Sequence, residues 1–208
     1  MTATPKFLYF DLGNVLLRFD HRVACRQMAH VAGVPYELVW ETSFRGELFE
    51  DYEYGRLTSD EYYVAFCQQT GSQPDREELL TAASDIFHLN APAAAIVAQL
   101  KQSRQRLGIL SNTNAAHWEF VSDGRFELLR DGWEHFALSY RLKALKPHPE
   151  IYRLAAELAG CDPREIFFVD DRPENVAGAI QAGYDAVQFT TAARLALDLT
   201  QRGVRFNF

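Results

Sequence analysis

Five short runs, apolar almost throughout, constrain the fold of this chain more than any other feature: Phe7–Phe10 (FLYF), Leu107–Leu110 (LGIL), Phe136–Ser139 (FALS), Ile166–Val169 (IFFV) and Ala186–Phe189 (AVQF). A strand with one wet face alternates apolar and polar residues. These runs do not, so both faces of the sheet they form must be covered. Helical patterns separate the last four runs. Residues 114–120 can hold one helix. Pro149–Ala159 puts Ile151, Leu154, Ala155 and Leu158 on one face and stops at Gly160, and Pro173–Ala182 begins on a proline and meets Gly183. Strands alternating with helices predict an α/β fold, a doubly wound parallel sheet.

Between about Asp20 and His88 that rhythm fails. Val23–Ala32 is helical and ends at Gly33; Thr58-Ser-Asp-Glu61 reads as a capping box before a helix that stops at Gly71. Asp75–Phe87 is a third apolar-periodic stretch, after which Asn90 caps a helix with Pro92 early in it. No convincing strand falls in this interval. The expected layout is a helical cap, residues 20–88, inserted after the first strand of a core built from residues 1–19 and 89–208. The plainer alternative is a helical subdomain that only widens the core.

Composition narrows the partners. With 21 basic and 28 acidic residues the net charge is −7, which argues against binding nucleic acid or an anionic membrane surface. An anionic ligand must then be held by a few local cations and backbone amides. Cys25, Cys67 and Cys161 are scattered and form no CxxC pair, so reduced thiols are expected rather than disulfides or a zinc site. The first residues carry no targeting pattern, and no run approaches the ~20 apolar residues of a membrane helix. A cytoplasmic protein, monomeric or a small homo-oligomer, is the expectation.

In a doubly wound sheet, ligands bind at the carboxyl ends of the strands. Those ends here read Asp11-Leu-Gly-Asn14, Ser111-Asn-Thr-Asn114, Lys143-Ala-Leu-Lys146-Pro and Asp170-Asp-Arg-Pro-Glu-Asn175. Singly, each has an ordinary structural explanation: Asp11 as a cap or turn former, Ser111 as a loop hydroxyl, Lys146 as a solvated lysine. Asp170 and Asp171 are harder to dismiss, because adjacent like charges repel unless a cation relieves them. Together they assemble carboxylates for a hard cation, a lysine and donors for a phosphate, and an aspartate able to act as nucleophile.

The four ordered segments YFDLGNV, LSNTN, LKPHPEIY and FFVDDRPENV resemble the haloacid dehalogenase-like (HAD) hydrolases, in the branch with a helical cap after the first motif. The resemblance spans about Phe7 to Phe189 and implies a Rossmann-like core and a Mg²⁺-dependent phosphatase working through an aspartyl-phosphate. On it, Asp11 attacks phosphorus and ligates Mg²⁺, as do the Gly13 carbonyl and Asp171, with Asp170 in the outer shell or sharing that role. Ser111 and the Asn112 amide hold phosphoryl oxygens, and Lys146 binds both the phosphate and Asp11. The substrate implied is a small phosphorylated metabolite, a sugar phosphate first. Two alternatives stay open: a haloacid dehalogenase, and a noncatalytic HAD-like binding protein.

One position departs from the family. Its phosphatases usually carry a second aspartate two residues after the nucleophile, as acid to the leaving group; here that residue is Gly13, and Asn14 cannot replace it. Without that acid, rates should fall steeply as the leaving alcohol becomes more basic, which favours anomeric phosphates and makes Gly13→Asp a rescue. A cap residue or a water would have to take that role. In the cap, Arg45, Glu47, Asp51 and Tyr54 are candidate specificity residues, whereas His21 and His88 read as structural or surface histidines and Trp40, Phe44 and Phe49 as core.

Overall fold

A computed structural model of the chain describes residues 4–206. Its main sheet contains β1 (Phe7–Phe10), β4 (Leu107–Ser111), β5 (His135–Leu138), β6 (Ile166–Asp170) and β7 (Asp185–Gln188), in the order β5-β4-β1-β6-β7 and parallel throughout. Two two-residue strands, β2 (Leu17–Arg18) and β3 (His88–Leu89), pair antiparallel apart from it. All five apolar runs are strands, displaced by at most one residue at either end. The run ending at Ser139 stops at Leu138, because the Ser139 hydroxyl accepts a hydrogen bond from Thr113 N–H (2.9 Å) and opens a short helix.

The helices are α1 (His21–Ala32), α2 (Tyr36–Trp40), α3 (Glu47–Tyr54), α4 (Ser59–Thr70), α5 (Arg76–Ser84), α6 (Ala91–Gln102), α7 (Ala115–Ser122), α8 (Ser139–Leu142), α9 (Pro149–Ala159), α10 (Pro173–Gln181) and α11 (Ala192–Gln201). Strand periodicity assigns the two faces. Leu8 and Phe10 pack with Leu107, Ile109, Phe167 and Val169 under α6, α7 and α11, while Phe7 and Tyr9 pack with Leu110, Ile166 and Phe168 under α9 and α10. A third cluster, including Met28, Val39, Tyr52, Phe66 and Leu79, holds together α1–α5, the helices between β2 and β3 where the cap is expected, and extends to Ala116 at the start of α7.

Several details differ from the sequence reading. The pair β2·β3 joins the chain on its way into the cap helices to the chain on its way out, and two residues per strand are too few to leave a periodic signal. Asn90 precedes α6 as expected, but its side chain makes no cap; its Nδ2 donates to the Val15 carbonyl (2.8 Å) and ties the same two connections. Helix α3 was not legible, because Glu47, Glu50, Asp51 and Glu53 distribute charge around it. The capping box at Thr58 and Glu61 and the left-handed caps at Gly33, Gly71 and Gly160 form as read. All three cysteines are free thiols, and no described helix is long and apolar enough to cross a membrane.

Candidate active site

The carboxyl ends of β1, β4 and β6 and the loop before α9 converge on one buried cation. Lys146 Nζ lies 2.9 Å from Asp11 Oδ1, 2.5 Å from Asp170 Oδ2 and 3.0 Å from the Leu110 carbonyl, so all three ammonium protons have acceptors. Lys146 is 5% exposed, and its position is set by Asn112, whose side chain accepts from Lys146 N–H (2.9 Å) and donates to its carbonyl (3.0 Å). Desolvation works to lower the lysine's pKa, but the two carboxylates outweigh it and hold the ammonium above its ordinary value.

Asp11 accepts from Leu12 N–H (2.7 Å) through the same Oδ1. Its Oδ2 takes no hydrogen bond from any described residue, and the residue lines the cavity. Burial, and then the nearby Asp170 and Asp171, push this carboxyl up against the pull of Lys146. Asp170 is sealed behind it: Asn175 Nδ2 reaches both its oxygens (3.0 and 3.1 Å) and Arg172 N–H donates to Oδ1 (2.9 Å). A chain of buried tyrosines backs that contact, with Tyr184 Oη donating to the Tyr152 carbonyl and Tyr152 Oη to the Asn175 carbonyl. Asp171 is half-buried and accepts from Asn14 Nδ2 (3.2 Å); burial and Asp170 raise its pKa. One oxygen from each of Asp11, Asp170 and Asp171 lies within 4.8 Å of the others. Three clustered carboxylates with raised pKa values in two of them and only one ammonium suit a further hard cation with oxygen ligands, which is what Mg²⁺ prefers.

The cavity, ≈ 150 Å³, is lined by Asp11, Gly13, Asn14, Asn112, Lys146 and Asp171 from the core and by Phe19, His21, Phe49 and Glu53 from the cap side. Outside it, a more open space of ≈ 440 Å³ shares Phe49, Glu53, Asn112, Lys146 and Arg172 and is rimmed by Arg45 and His148. Of the sequence candidates, Asp11, Gly13, Asn112, Lys146 and Asp171 face this cavity. Ser111 is buried, donates to the Asn112 carbonyl (3.3 Å) and is not in the cavity wall.

Arg45 borders only the outer space; Asp51 pairs with Arg56 (2.5 Å), Tyr54 lies under that same guanidinium, and Glu47 lines neither space. His21 is a wall of the cavity, not merely structural. Its ring packs on Phe19 (4.8 Å), Phe44 (5.0 Å) and Phe49 (5.2 Å), and burial pushes it down to about 4. Phe49 likewise lines the cavity, whereas His88 is exposed in β3. At Gly13 an added Cβ would lie 2.6 Å from Phe19 Cε1, so the ring occupies the space a side chain would need. Sequence reasoning missed Phe19, Glu53 and Arg172 as wall residues. Glu53, at the cavity's cap side, has its carbonyl held by Ser139 Oγ (2.6 Å), and burial drives its carboxyl up to about 7 against Lys146 and Arg172.

Residues 6–183 match the family model described as haloacid dehalogenase-like hydrolase. A curated relative, the D-ribitol-5-phosphate phosphatase of Bacteroides thetaiotaomicron, is 26% identical over 202 residues, covering 94% of this chain and 97% of the relative. Among solved structures, a HAD family enzyme of the same organism in complex with magnesium and inorganic phosphate superposes with a TM-score of 0.80 at 26% identity, covering 89% of this chain and 94% of the other. The L-2-haloacid dehalogenase of Xanthobacter autotrophicus superposes with a TM-score of 0.63 at 19% identity, covering 97% and 84%, a likeness of fold alone.

Proposed function

The chain belongs to the haloacid dehalogenase-like hydrolases, and from that premise we propose that it is a Mg²⁺-dependent phosphatase of a small phosphorylated metabolite, a sugar or polyol phosphate. The observation that carries this reading is Asp11, with one oxygen ion-paired to buried Lys146 and the other open to a cavity that Asp171 also lines. In this reading Asp11 Oδ2 is the nucleophile toward phosphorus. Asp11, Asp171 and the Gly13 carbonyl would hold the metal, which when bound offsets negative charge on the phosphoryl oxygens. Asp170, both of whose oxygens are already engaged, acts behind them by holding Lys146. That choice favours the outer-shell role of the two open to it.

Lys146 has two tasks here. Its charge lets a carboxylate approach a phosphate dianion, and its fixed position favours the transition state, in which negative charge spreads over the equatorial oxygens. In this reading the Asn112 backbone amide would hold a phosphoryl oxygen, while its side chain locks the lysine loop and the Ser111 hydroxyl donates to the Asn112 carbonyl. The dehalogenase alternative explains these residues less well, because displacing halide from carbon requires no cation for Asp171.

Inorganic phosphate release from a panel of sugar and polyol phosphates, with Mg²⁺ and after exhaustive chelation, tests the reading. Turnover that needs Mg²⁺ and disappears in Asp11→Asn is expected. Halide release from a 2-haloacid, with no phosphate release from any ester, would overturn it.

A further inference from the structure

In-line displacement at phosphorus places the leaving oxygen on the side away from the attacking one. Asp11 belongs to the core end of the cavity, so the leaving group extends toward the cap and into the outer space that Phe49 and Glu53 also line. A basic alkoxide leaving there needs a proton. Position 13 cannot supply it, since Gly13 has no side chain and Phe19 fills the space beside it.

The other proton carriers in the cavity wall can be taken in turn. Lys146 commits all three of its protons to Asp11, Asp170 and the Leu110 carbonyl. Arg172 pairs with Glu174 (2.5 Å), and a guanidinium is too weak an acid. His21 is neutral among aromatic rings, and a neutral imidazole is a poor donor. Asp171 is held by Asn14 beside the metal-binding carboxylates. Glu53 is different: its backbone is pinned to Ser139, yet no described residue hydrogen-bonds or ion-pairs its carboxyl.

Resting on the reading of this site as a phosphatase, we propose that Glu53 is the general acid and base of the reaction, supplied by the cap. As Asp11 Oδ2 bonds to phosphorus and the P–O bond to the substrate breaks, the Glu53 carboxyl passes its proton to the departing oxygen and the free alcohol leaves. Glu53, now a carboxylate, takes a proton from the water that attacks phosphorus of the aspartyl-phosphate. The bond to Asp11 breaks, phosphate is released, and both carboxyls return to their starting states. The raised acidity constant of Glu53, about 7, fits a group that must hold a proton near neutrality and give it up. With a donor in the cap, anomeric phosphates hold no advantage, and primary alkyl phosphates become equally suitable substrates.

The test compares wild type and Glu53→Gln with Mg²⁺ on a series running from 4-nitrophenyl phosphate to simple alkyl phosphates, with chemistry limiting. Wild-type rates should depend weakly on leaving-group basicity. Those of Glu53→Gln should fall steeply, so that the ratio of the two grows along the series to roughly 10²–10⁴-fold for alkyl esters. Formate added to Glu53→Ala should restore alkyl ester turnover in part, a rescue that a purely structural role would not give. A ratio that is constant along the series, or no rescue, overturns the assignment of Glu53 and leaves the phosphatase reading standing. Failure of the wild type to release phosphate from any ester overturns that reading first, and the Glu53 proposal with it.

Discussion

Lys146 holds two buried carboxylates, and its removal should therefore affect more than chemistry. Lys146→Ala leaves Asp11 and Asp170 uncompensated at 7% and 0% exposure. Breaking a buried pair from one side costs about 3–5 kcal/mol, so the variant should show a much lower Tm as well as lost turnover, with Mg²⁺ restoring some of the stability. Asp11→Asn should behave oppositely: turnover is abolished, since an amide is no nucleophile, and the metal-free Tm is unchanged or higher, since burial and its acidic neighbours oppose ionisation of Asp11. Circular dichroism melts with phosphate-release assays separate the two cases. Gly13→Asp, a rescue on sequence grounds, should instead lose stability by about 1–3 kcal/mol through overpacking against Phe19. Pairing it with Phe19→Ala should recover most of that loss.

Among the elements, α3 matters most, because it carries Phe49 and Glu53 to the cavity and is fastened to the core at its C-terminal end. Ser139 Oγ is fully buried there, accepting from Thr113 N–H and lying within donor reach of the Glu53 carbonyl (2.6 Å) and the Thr113 carbonyl (2.9 Å). Two residues on, Gly55 ends α3 at φ +76°, with its missing Cβ only 2.1 Å from the Tyr140 carbonyl. Gly55→Ala therefore combines backbone strain with a collision against fixed backbone, and should lower stability and turnover together. Ser139→Ala should cost about 1–3 kcal/mol for an orphaned amide and weaken turnover of alkyl phosphates more than that of activated aryl phosphates, because Glu53 loses its anchor. Equal losses on both ester classes would separate this anchor from proton transfer.

For the whole molecule, the titrating groups make opposite demands. Glu53 and Asp11 have pKa values raised on folding, so their contributions are complete below the unfolded value and are lost as pH rises toward about 7. For Glu53 the span from 4.5 to about 7 corresponds to at most roughly 3 kcal/mol. His21 and His117 are pushed down to about 4 and about 3, so they stabilise the fold above 6.5 and that share is lost as pH falls. The metal-free protein should thus melt highest between these limbs. The Tm gain from Mg²⁺ should increase from about pH 5 to about pH 8, as the carboxylates proposed to bind it become ionised. A gain independent of pH would place the cation elsewhere.

Local order within 208 residues was legible where one element's own chemistry decides it. The strands followed from runs too apolar to have a wet face, α4 from its capping box, α9 from its periodicity and terminal glycine, and Asp11, Lys146 and Asp171 from their places after those elements. Contacts between distant segments were not legible. That Phe19 fills the space at Gly13 and that Asn90 binds the Val15 carbonyl depend on how the connections into and out of the cap helices fold against each other, and that α3 brings Glu53 over the strand ends depends on how those helices pack on the core. A strand end marks itself through the residues next to it, whereas a cap residue's role is set by the three-dimensional distance to a core residue tens of positions away. Residue type and short-range spacing encode the first; only packing decides the second.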